Sequence, residues 1–204
     1  MTAKNKEAVL HFNLEGIDGA GKSTSLPLIA QKLRALGYTV IAVTSPSHSP
    51  KGEFIRANVR ELPPAERNRL FIDDIETTIA SAAAEAEKEA QPEGRPVVVL
   101  WDRYIDSFYA SNREMSLDEA DDLVGGLPRP TATFLLSIEP ERIFTERSQA
   151  LDHHSDPQWL RAKELRYMTL ATREPDRFDI IDAGLPTDEV AQTIADRIVA
   201  RLPA

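Results

Sequence analysis

A glycine-rich loop between an apolar strand and an amphipathic helix limits, more than any other feature, what this chain can fold into. The apolar run 9–14 leads into Gly16-Ile17-Asp18-Gly19-Ala20-Gly21-Lys22-Ser23, a complete G-x-x-x-x-G-K-[ST] pattern. The segment that follows has apolar residues at the spacing of one helix face, from Leu26 to Leu36, and Gly37 is placed to end that helix. A strand before the loop and a helix after it disfavour the alternative of a glycine-rich turn that binds nothing.

A loop of this kind, the P-loop, holds the phosphates of a nucleoside triphosphate. Its glycines let successive N–H groups point into one concavity, and the helix adds its positive end. The lysine, here Lys22, reaches the β- and γ-phosphates, and the hydroxyl of Ser23 ligates Mg²⁺. We therefore expect ATP to be bound by Gly16, Gly19, Ala20, Gly21, Lys22, Ser23 and Thr24.

Five short apolar runs punctuate the chain, with helical segments between them. The runs are rich in Val, Ile, Leu and Phe and show little alternation, as expected of a parallel sheet covered on both faces. They predict an α/β fold of the P-loop NTPase type, a doubly wound parallel five-stranded sheet with helices on both faces and a ligand crevice at the carboxyl ends of the strands. The 204 residues fit a single domain, 1–204. The runs are 9–14, 38–43, 97–101, 132–138 and 178–181, and a long helix is expected over 75–90.

Composition excludes several classes of function. Lys and Arg number 24 against 33 Asp and Glu, a net charge of −9, which is a poor field for binding a nucleic acid polymer. The chain has no cysteine, which excludes disulfides and thiolate metal sites, and its four scattered histidines disfavour a zinc cluster. The N-terminus is polar and predicts no signal peptide. We therefore expect a cytoplasmic protein without a membrane partner.

A second polar element follows the third apolar run. Asp102, Arg103 and Tyr104 come directly after Trp101, which puts a carboxylate and a guanidinium at the predicted crevice. Asp102 can organise Mg²⁺ or accept a proton, and Arg103 can clamp a phosphate or stabilise charge on a phosphoryl group in transfer. The alternative is a plain ion pair at the start of a helix. Beside a P-loop the functional interpretation is favoured, so the expected catalytic residues are Lys22, Asp102 and Arg103.

Together these elements resemble the thymidylate kinase family of nucleoside monophosphate kinases, over about 10–202. The resemblance includes a P-loop with an acid at Asp18, the D-R-Y-x-x-S pattern that ends at Ser107, and the L-F-x-x-[DN] pattern around Phe71. It extends to Gly126-Leu127-Pro128-Arg129-Pro130, to the aromatic residues Trp159 and Tyr167, and to the strand end Ile181-Asp182-Ala183.

The resemblance implies an enzyme that transfers the γ-phosphoryl group of ATP to thymidine monophosphate (dTMP) or a related nucleoside monophosphate, with Mg²⁺ and as a homodimer. In that family the loop acid approaches the sugar of the acceptor, and the helix phenylalanine stacks on the thymine ring. These roles fall here to Asp18 and Phe71. The resemblance also places Arg103 and Tyr167 beside the acceptor.

The acceptor side departs from the family pattern in two places. Ile75 stands where the family has an arginine that hydrogen-bonds the base, and loss of such a contact can change selectivity strongly. In the loop after the second predicted strand, Pro46 fits the family, while His48 is the one cation of the segment 44–50. We expect His48 near the acceptor phosphate, where a neighbouring anion would favour its charged form, with Arg56 assisting.

The lid, predicted over 148–158, contains no Arg or Lys, whereas family members supply an extra arginine from the lid or the P-loop. The resemblance implies that Arg147, or else Arg142 on the same helix, lies beside the adenine or phosphates of ATP, and the pair His153 and His154 is a weaker substitute. Absence of an arginine finger predicts a slow enzyme or a different substrate geometry. Two alternatives stay open: a kinase of another acceptor, such as a modified nucleotide, a nucleoside or a small alcohol, and a nucleotide-binding regulator with little catalysis. A GTPase is disfavoured because the chain lacks an N-K-x-D pattern.

Overall fold

The computed structural model describes residues 9–89, 95–146 and 156–203. It contains the strands β1 (Val9–Glu15), β2 (Val40–Thr44), β3 (Val97–Asp102), β4 (Ala132–Ser137) and β5 (Phe178–Asp182). They form one sheet in the order β2-β3-β1-β4-β5, and each neighbouring pair is parallel. The α/β fold with a five-stranded parallel sheet is therefore confirmed.

Helices connect the strands and surround the sheet. In the described ranges they are α1 (Lys22–Ala35), α2 (Pro50–Asn58), α3 (Pro64–Lys88), α4 (Ile105–Ser111), α5 (Leu117–Val124), α6 (Pro140–Glu146), α7 (Pro157–Arg173) and α8 (Thr187–Val199). None of these helices has the length and apolar character needed to cross a membrane.

Two apolar layers cover the faces of the sheet, and the side chains of the central strands alternate between them. In β3, Val98 and Leu100 belong to the layer that α1 and α8 complete. Val97, Val99 and Trp101 belong to the layer that α3, α4 and α7 complete. Because both faces are buried, the strands have the apolar, weakly alternating sequences that predicted a parallel sheet.

The long helix α3 differs from its prediction. It begins at Pro64 rather than at residue 75, and it is described to Lys88, while the predicted last residue, Ala90, lies outside the described residues. Proline in the first turn suits a helix start because its N–H would have no partner there and its φ is already helical. The earlier start puts Asn68 and Phe71 three residues apart on one helical face.

The carboxyl ends of three strands bring the polar elements to one edge of the sheet. Asp102 at the end of β3 stands opposite Leu14 of β1 and Thr44 of β2. The loop after β2 contains a cis Ser45–Pro46 peptide, and the N–H of Ser45 donates to the carbonyl of Asp102 at 3.1 Å. The P-loop, the β2–α2 loop and the start of α4 therefore meet at this edge.

Candidate active site

The P-loop curls around the ammonium group of Lys22. Gly16 and Gly19 have φ values of +139° and +82°, a backbone region that favours glycine. Lys22 Nζ donates to the carbonyls of Gly16 at 2.9 Å and Ile17 at 2.8 Å. Burial is the largest cause that lowers the pKa of Lys22 to about 7, and the charge of Arg103 adds to it. Because α1 begins at Lys22, its free N–H groups and its ammonium group face the same concavity, which suits a phosphate chain.

Ser23 and Asp102 make direct contact across the mouth of the loop. Ser23 Oγ donates to Asp102 Oδ2 at 2.5 Å, and the hydroxyl of Thr44 donates to the carbonyl of Asp102 at 3.0 Å. A hydroxyl and a carboxylate are the hard oxygen donors that Mg²⁺ prefers, usually shared with substrate phosphates. The donor pair therefore fits a magnesium ion bound together with the phosphates of a nucleotide.

Arg103 is held in an unusual backbone conformation beside the loop. Its φ is +68°, a left-handed value that is uncommon for a residue with a side chain and that clusters at functional sites. The guanidinium ion-pairs with Asp18 and donates to the carbonyl of Gly16 at 3.3 Å. Burial alone would lower the pKa of Arg103, but acidic neighbours, Asp18 first, raise it above its usual range. Burial alone would raise the pKa of Asp18, yet Arg103, Lys163 and Lys22 hold it well below its usual range.

These groups share a cavity of about 760 Å³, a size suited to a small-molecule substrate. Its wall consists of the P-loop, the end of β3, the β2–α2 loop, and parts of α2, α3, α4 and α7. Seven of the expected site residues line the wall: Asp18, Ser23, Pro46, Arg56, Phe71, Asp102 and Arg103.

Comparison with known proteins gives the family. A family model described as thymidylate kinase matches residues 14–194. The chain is 33% identical over 206 residues to a thymidylate kinase of Alcanivorax borkumensis, with 95% of this chain and 97% of the relative covered. It is 32% identical over 200 residues to that of Pseudomonas putida (91% and 94% covered) and 33% identical over 212 residues to that of Caulobacter vibrioides (94% and 96% covered). The chain belongs to the thymidylate kinase family. It is thus a phosphotransferase, and the resemblance described from the sequence is confirmed.

Among the described site residues expected for this thymidylate kinase family member, His48 and Tyr167 do not line the cavity. The same is true of the P-loop residues Gly16, Gly19, Ala20, Gly21, Lys22 and Thr24, whereas Asp18 and Ser23 of the loop do line it. His48 has a side chain that is 82% exposed and lies 3.6 Å from Glu53. Tyr167 is completely buried beneath the site. Arg147 lies outside the described residues, as do His153 and His154.

Tyr167 belongs to a buried network around Glu15. The carboxylate of Glu15 accepts hydrogen bonds from the hydroxyl of Tyr167 at 2.8 Å, the hydroxyl of Ser107 at 2.6 Å and the N–H of Tyr104 at 2.9 Å. Burial raises the pKa of Glu15, and it also raises that of Tyr167. The hydroxyl of Ser107 lies 3.5 Å from Arg103. The network therefore supports the start of α4, where Arg103 stands.

Ile75 faces the core and not the cavity, so it has no route to a bound base. It is fully buried in the layer that contains Trp101 and Tyr104. Asn68, about two turns earlier in α3, does line the cavity and is only 6% exposed, yet among the described residues its Oδ1 has no hydrogen-bond partner. The spacing of three residues from Phe71 is the signal that would have pointed to it.

Lys163 is another residue of the cavity that sequence reasoning missed. It lines the cavity from α7 and is 6% exposed. Its Nζ lies 3.7 Å from Asp18 Oδ2. The signal in the sequence is its spacing of four residues from both Trp159 and Tyr167, which puts all three on one face of the helix.

Proposed function

We propose that the chain is a thymidylate kinase that converts ATP and dTMP into ADP and thymidine diphosphate. One observation carries this proposal: a P-loop lysine, the Ser23–Asp102 pair, the Arg103–Asp18 pair and the aromatic ring of Phe71 line or adjoin one cavity. Phosphoryl transfer between nucleotides requires mainly positioning and charge, and these residues provide both.

The donor half of the site is formed by the P-loop. Lys22 and the loop N–H groups, from Gly16 to Thr24, hold the phosphates of ATP. Ser23 and Asp102 hold Mg²⁺. When bound, the ion neutralises charge on the β- and γ-phosphate oxygens. Lys22 donates to the same phosphate oxygens.

The acceptor half lies between Arg103, the β2–α2 loop and α3. An oxygen of the dTMP phosphate attacks the γ-phosphorus in line, and the bond from that phosphorus to the bridging oxygen of ADP breaks. Arg103 bridges the acceptor phosphate and the transferred group. Asp18 orients the sugar and Phe71 stacks on the base, while the acceptor phosphate is met by Arg56 beside Pro46, with His48 at the rim. Tyr167 does not touch the acceptor. Its hydroxyl contacts that of Ser107, which in turn contacts Arg103, so Tyr167 helps to hold Arg103 in position.

We propose that Asn68 reads the thymine edge in place of the arginine that Ile75 replaces. Thymine presents an N3–H donor between two carbonyl acceptors, and an asparagine amide has the complementary acceptor and donor. The unpaired Oδ1 of Asn68 supports this role, because a buried polar atom without a partner costs free energy that an incoming N–H recovers. Phe71 on the same helical face supports a base at this position.

The test is ADP formation from ATP and Mg²⁺ with a panel of acceptors: the monophosphates of thymidine, deoxyuridine, deoxycytidine and purine nucleosides, and free thymidine. The Lys22→Met variant serves as the blank. We expect turnover that depends on Lys22 and is fastest with dTMP. Turnover confined to another acceptor, or ATP binding without any acceptor-dependent ADP, would overturn the assignment of dTMP.

We further propose that the enzyme is a homodimer, one domain per chain, that acts in the cytoplasm without binding nucleic acid polymers or membranes. Its membership in the thymidylate kinase family supports this proposal. Light scattering after gel filtration gives the mass in solution, and the mass of a single chain, set against 22.7 kDa, would contradict the dimer.

A further inference from the structure

Lys163 lies on the face of α7 that lines the cavity. Asp156 caps this helix, its side chain accepting from the N–H of Trp159 at 2.7 Å, and both residues line the cavity. Lys163 follows one turn later, and Tyr167 follows after another turn with its hydroxyl on Glu15. The ammonium group of Lys163 thus reaches the site from α7, an element separate from the P-loop and its helix.

The ammonium group of Lys163 is buried, and its contact with its counter-charge is long. The side chain is 7% exposed, and its nearest carboxylate oxygen, Asp18 Oδ2, lies at 3.7 Å, beyond the length of a hydrogen bond. Asp18 acts on Lys163 as counter-charge and acceptor, but the contact is long and leaves room for a further acceptor at the ammonium group. Burial is the main cause that lowers the pKa of Lys163 to about 8, below its usual range. A cation in this state gains from an anionic ligand that brings oxygens to its N–H groups.

Asp18 connects Lys163 to the groups of the transfer step. Its Oδ1 is taken by Arg103, and its Oδ2 faces Lys163. Two cations from different elements therefore flank one carboxylate of the P-loop, with Lys22 close enough to lower the pKa of Asp18 as well. The phosphate chains of ATP and of the acceptor must meet beside these cations, because Ser23, Asp102 and Arg103 line the same cavity.

We propose that Lys163 is a catalytic residue, which donates hydrogen bonds to the oxygens of the phosphoryl group as it passes from ATP to the acceptor. The inference rests on the proposed function, and it names Lys163 as a group that stabilises the transition state of phosphoryl transfer. Lys163 keeps its proton throughout: the new bond joins the acceptor oxygen to phosphorus, and the leaving oxygen remains on ADP. The chain needs such a cation, since the segment 148–158 contains no Arg or Lys and the P-loop has Gly19 and Ala20 where an arginine would serve.

The first test compares Lys163→Met, which keeps the length of the side chain and removes its charge, with Lys163→Arg, which keeps the charge. Lys88→Met, at the exposed end of α3, is the control for loss of a lysine. We expect kcat with dTMP to fall about 100-fold or more in Lys163→Met, as for loss of one preorganised donor to a transition state. The affinity for MgATP and the melting temperature should stay close to those of the wild type, and Lys163→Arg should recover at least about tenfold of the lost kcat.

A second test separates charge from packing. In Lys163→Ala, added propylammonium should raise kcat, whereas 1-propanol, which has the same length and no charge, should not. A kcat of Lys163→Met within about threefold of the wild type would overturn the inference, because a threefold change in rate corresponds to only about 0.65 kcal/mol of activation free energy. So would equal rescue by the amine and the alcohol.

The outcome also distinguishes this inference from the proposed function. If wild-type enzyme and Lys88→Met turn over dTMP and Lys163→Met does so at the same rate, only the role of Lys163 fails. If the wild type gives no Lys22-dependent turnover with dTMP, the proposed function fails and the inference falls with it.

Discussion

Single buried polar atoms carry much of the chemistry of this site. Lys163 and Asn68 are each 6% exposed, and the Oδ1 of Asn68 has no partner among the described residues. Leaving a buried donor or acceptor unpaired costs about 1–3 kcal/mol. A substrate that supplies the missing partner recovers that free energy on binding, so such atoms favour the ligand that matches them.

Asn68→Leu should weaken the selection of dTMP without weakening the fold. Leucine is close in size and removes the unpaired amide, so the melting temperature should hold or rise. The kcat/KM with dTMP should fall about 10- to 100-fold, because the N3–H of thymine loses its acceptor. Asn58→Leu, on the exposed end of α2, is the matched control and should leave the kinetics unchanged. Unaltered kcat/KM ratios across the acceptor panel would show that Asn68 does not read the base.

Site residues that adjoin one another in a sequence motif were the easiest to predict. Lys22 and Ser23 lie in one motif, and Asp102 and Arg103 follow one strand, so the carboxyl edge of the sheet brings them together. Lys163 and Asn68 belong to helices far from those motifs, and only tertiary packing shows which helical face meets the cavity. His48 was chosen as the one cation of its loop, but it does not line the cavity, whereas Arg56 of the next helix, expected only to assist, does.

At the scale of elements, a buried ion pair joins α4 to the start of β5. Arg177 donates to both carboxylate oxygens of Asp106, each at 2.8 Å, and Asp106 is completely buried. Thr133 of β4 donates to Asp106 at 2.7 Å, and Asn13 of β1 donates to it at 3.1 Å. The pair thus connects the short helix that follows Arg103 to two strands of the sheet.

Arg177→Met should be strongly destabilising, because it leaves the charge of Asp106 buried without its cation. Breaking a buried pair in this way costs about 3–5 kcal/mol of unfolding free energy. The control is Arg197→Met, whose side chain is 41% exposed and pairs with Asp179 at 3.1 Å. It should cost no more than about 1 kcal/mol. Urea unfolding of both variants gives the comparison, and a similar loss in the two would contradict a special role for the buried pair.

Which elements form was more predictable than where they begin. All five strands were expected because burial on both faces makes them apolar throughout. The first turns of α3 were not expected, since Glu66, Arg67 and Asn68 interrupt the apolar pattern. Their helical state depends on the proline at the helix start and on packing of later turns, where Ile75, Ala82 and Ala86 are buried. Polar residues that face a cavity look, in the sequence, like residues that face solvent.

At the scale of the whole molecule, the parallel sheet places the phosphate site where several elements end. Leu14, Thr44 and Asp102 stand side by side at the carboxyl edge, so the P-loop, the β2–α2 loop and α4 all start there. The strand order β2-β3-β1-β4-β5 puts β1, which carries the P-loop, at the centre of the sheet. A ligand bound at this edge therefore contacts loops that follow central strands of the sheet. Bound nucleotide should for that reason raise the free energy of unfolding of the whole domain.

Thermal unfolding with nucleotide tests this coupling together with the metal pair. MgATP at 100 times its Kd should add about 2.7 kcal/mol to the unfolding free energy. For a chain of this size that corresponds to a rise of about 5–10 °C in Tm. ATP in EDTA should give a smaller rise, because Ser23 and Asp102 then lack the ion that joins them to the phosphates. Lys22→Met should show almost no rise, and Asp102→Asn should narrow the difference between MgATP and ATP in EDTA. Equal shifts with and without Mg²⁺ in the wild type would show that the Ser23–Asp102 pair does not hold the metal.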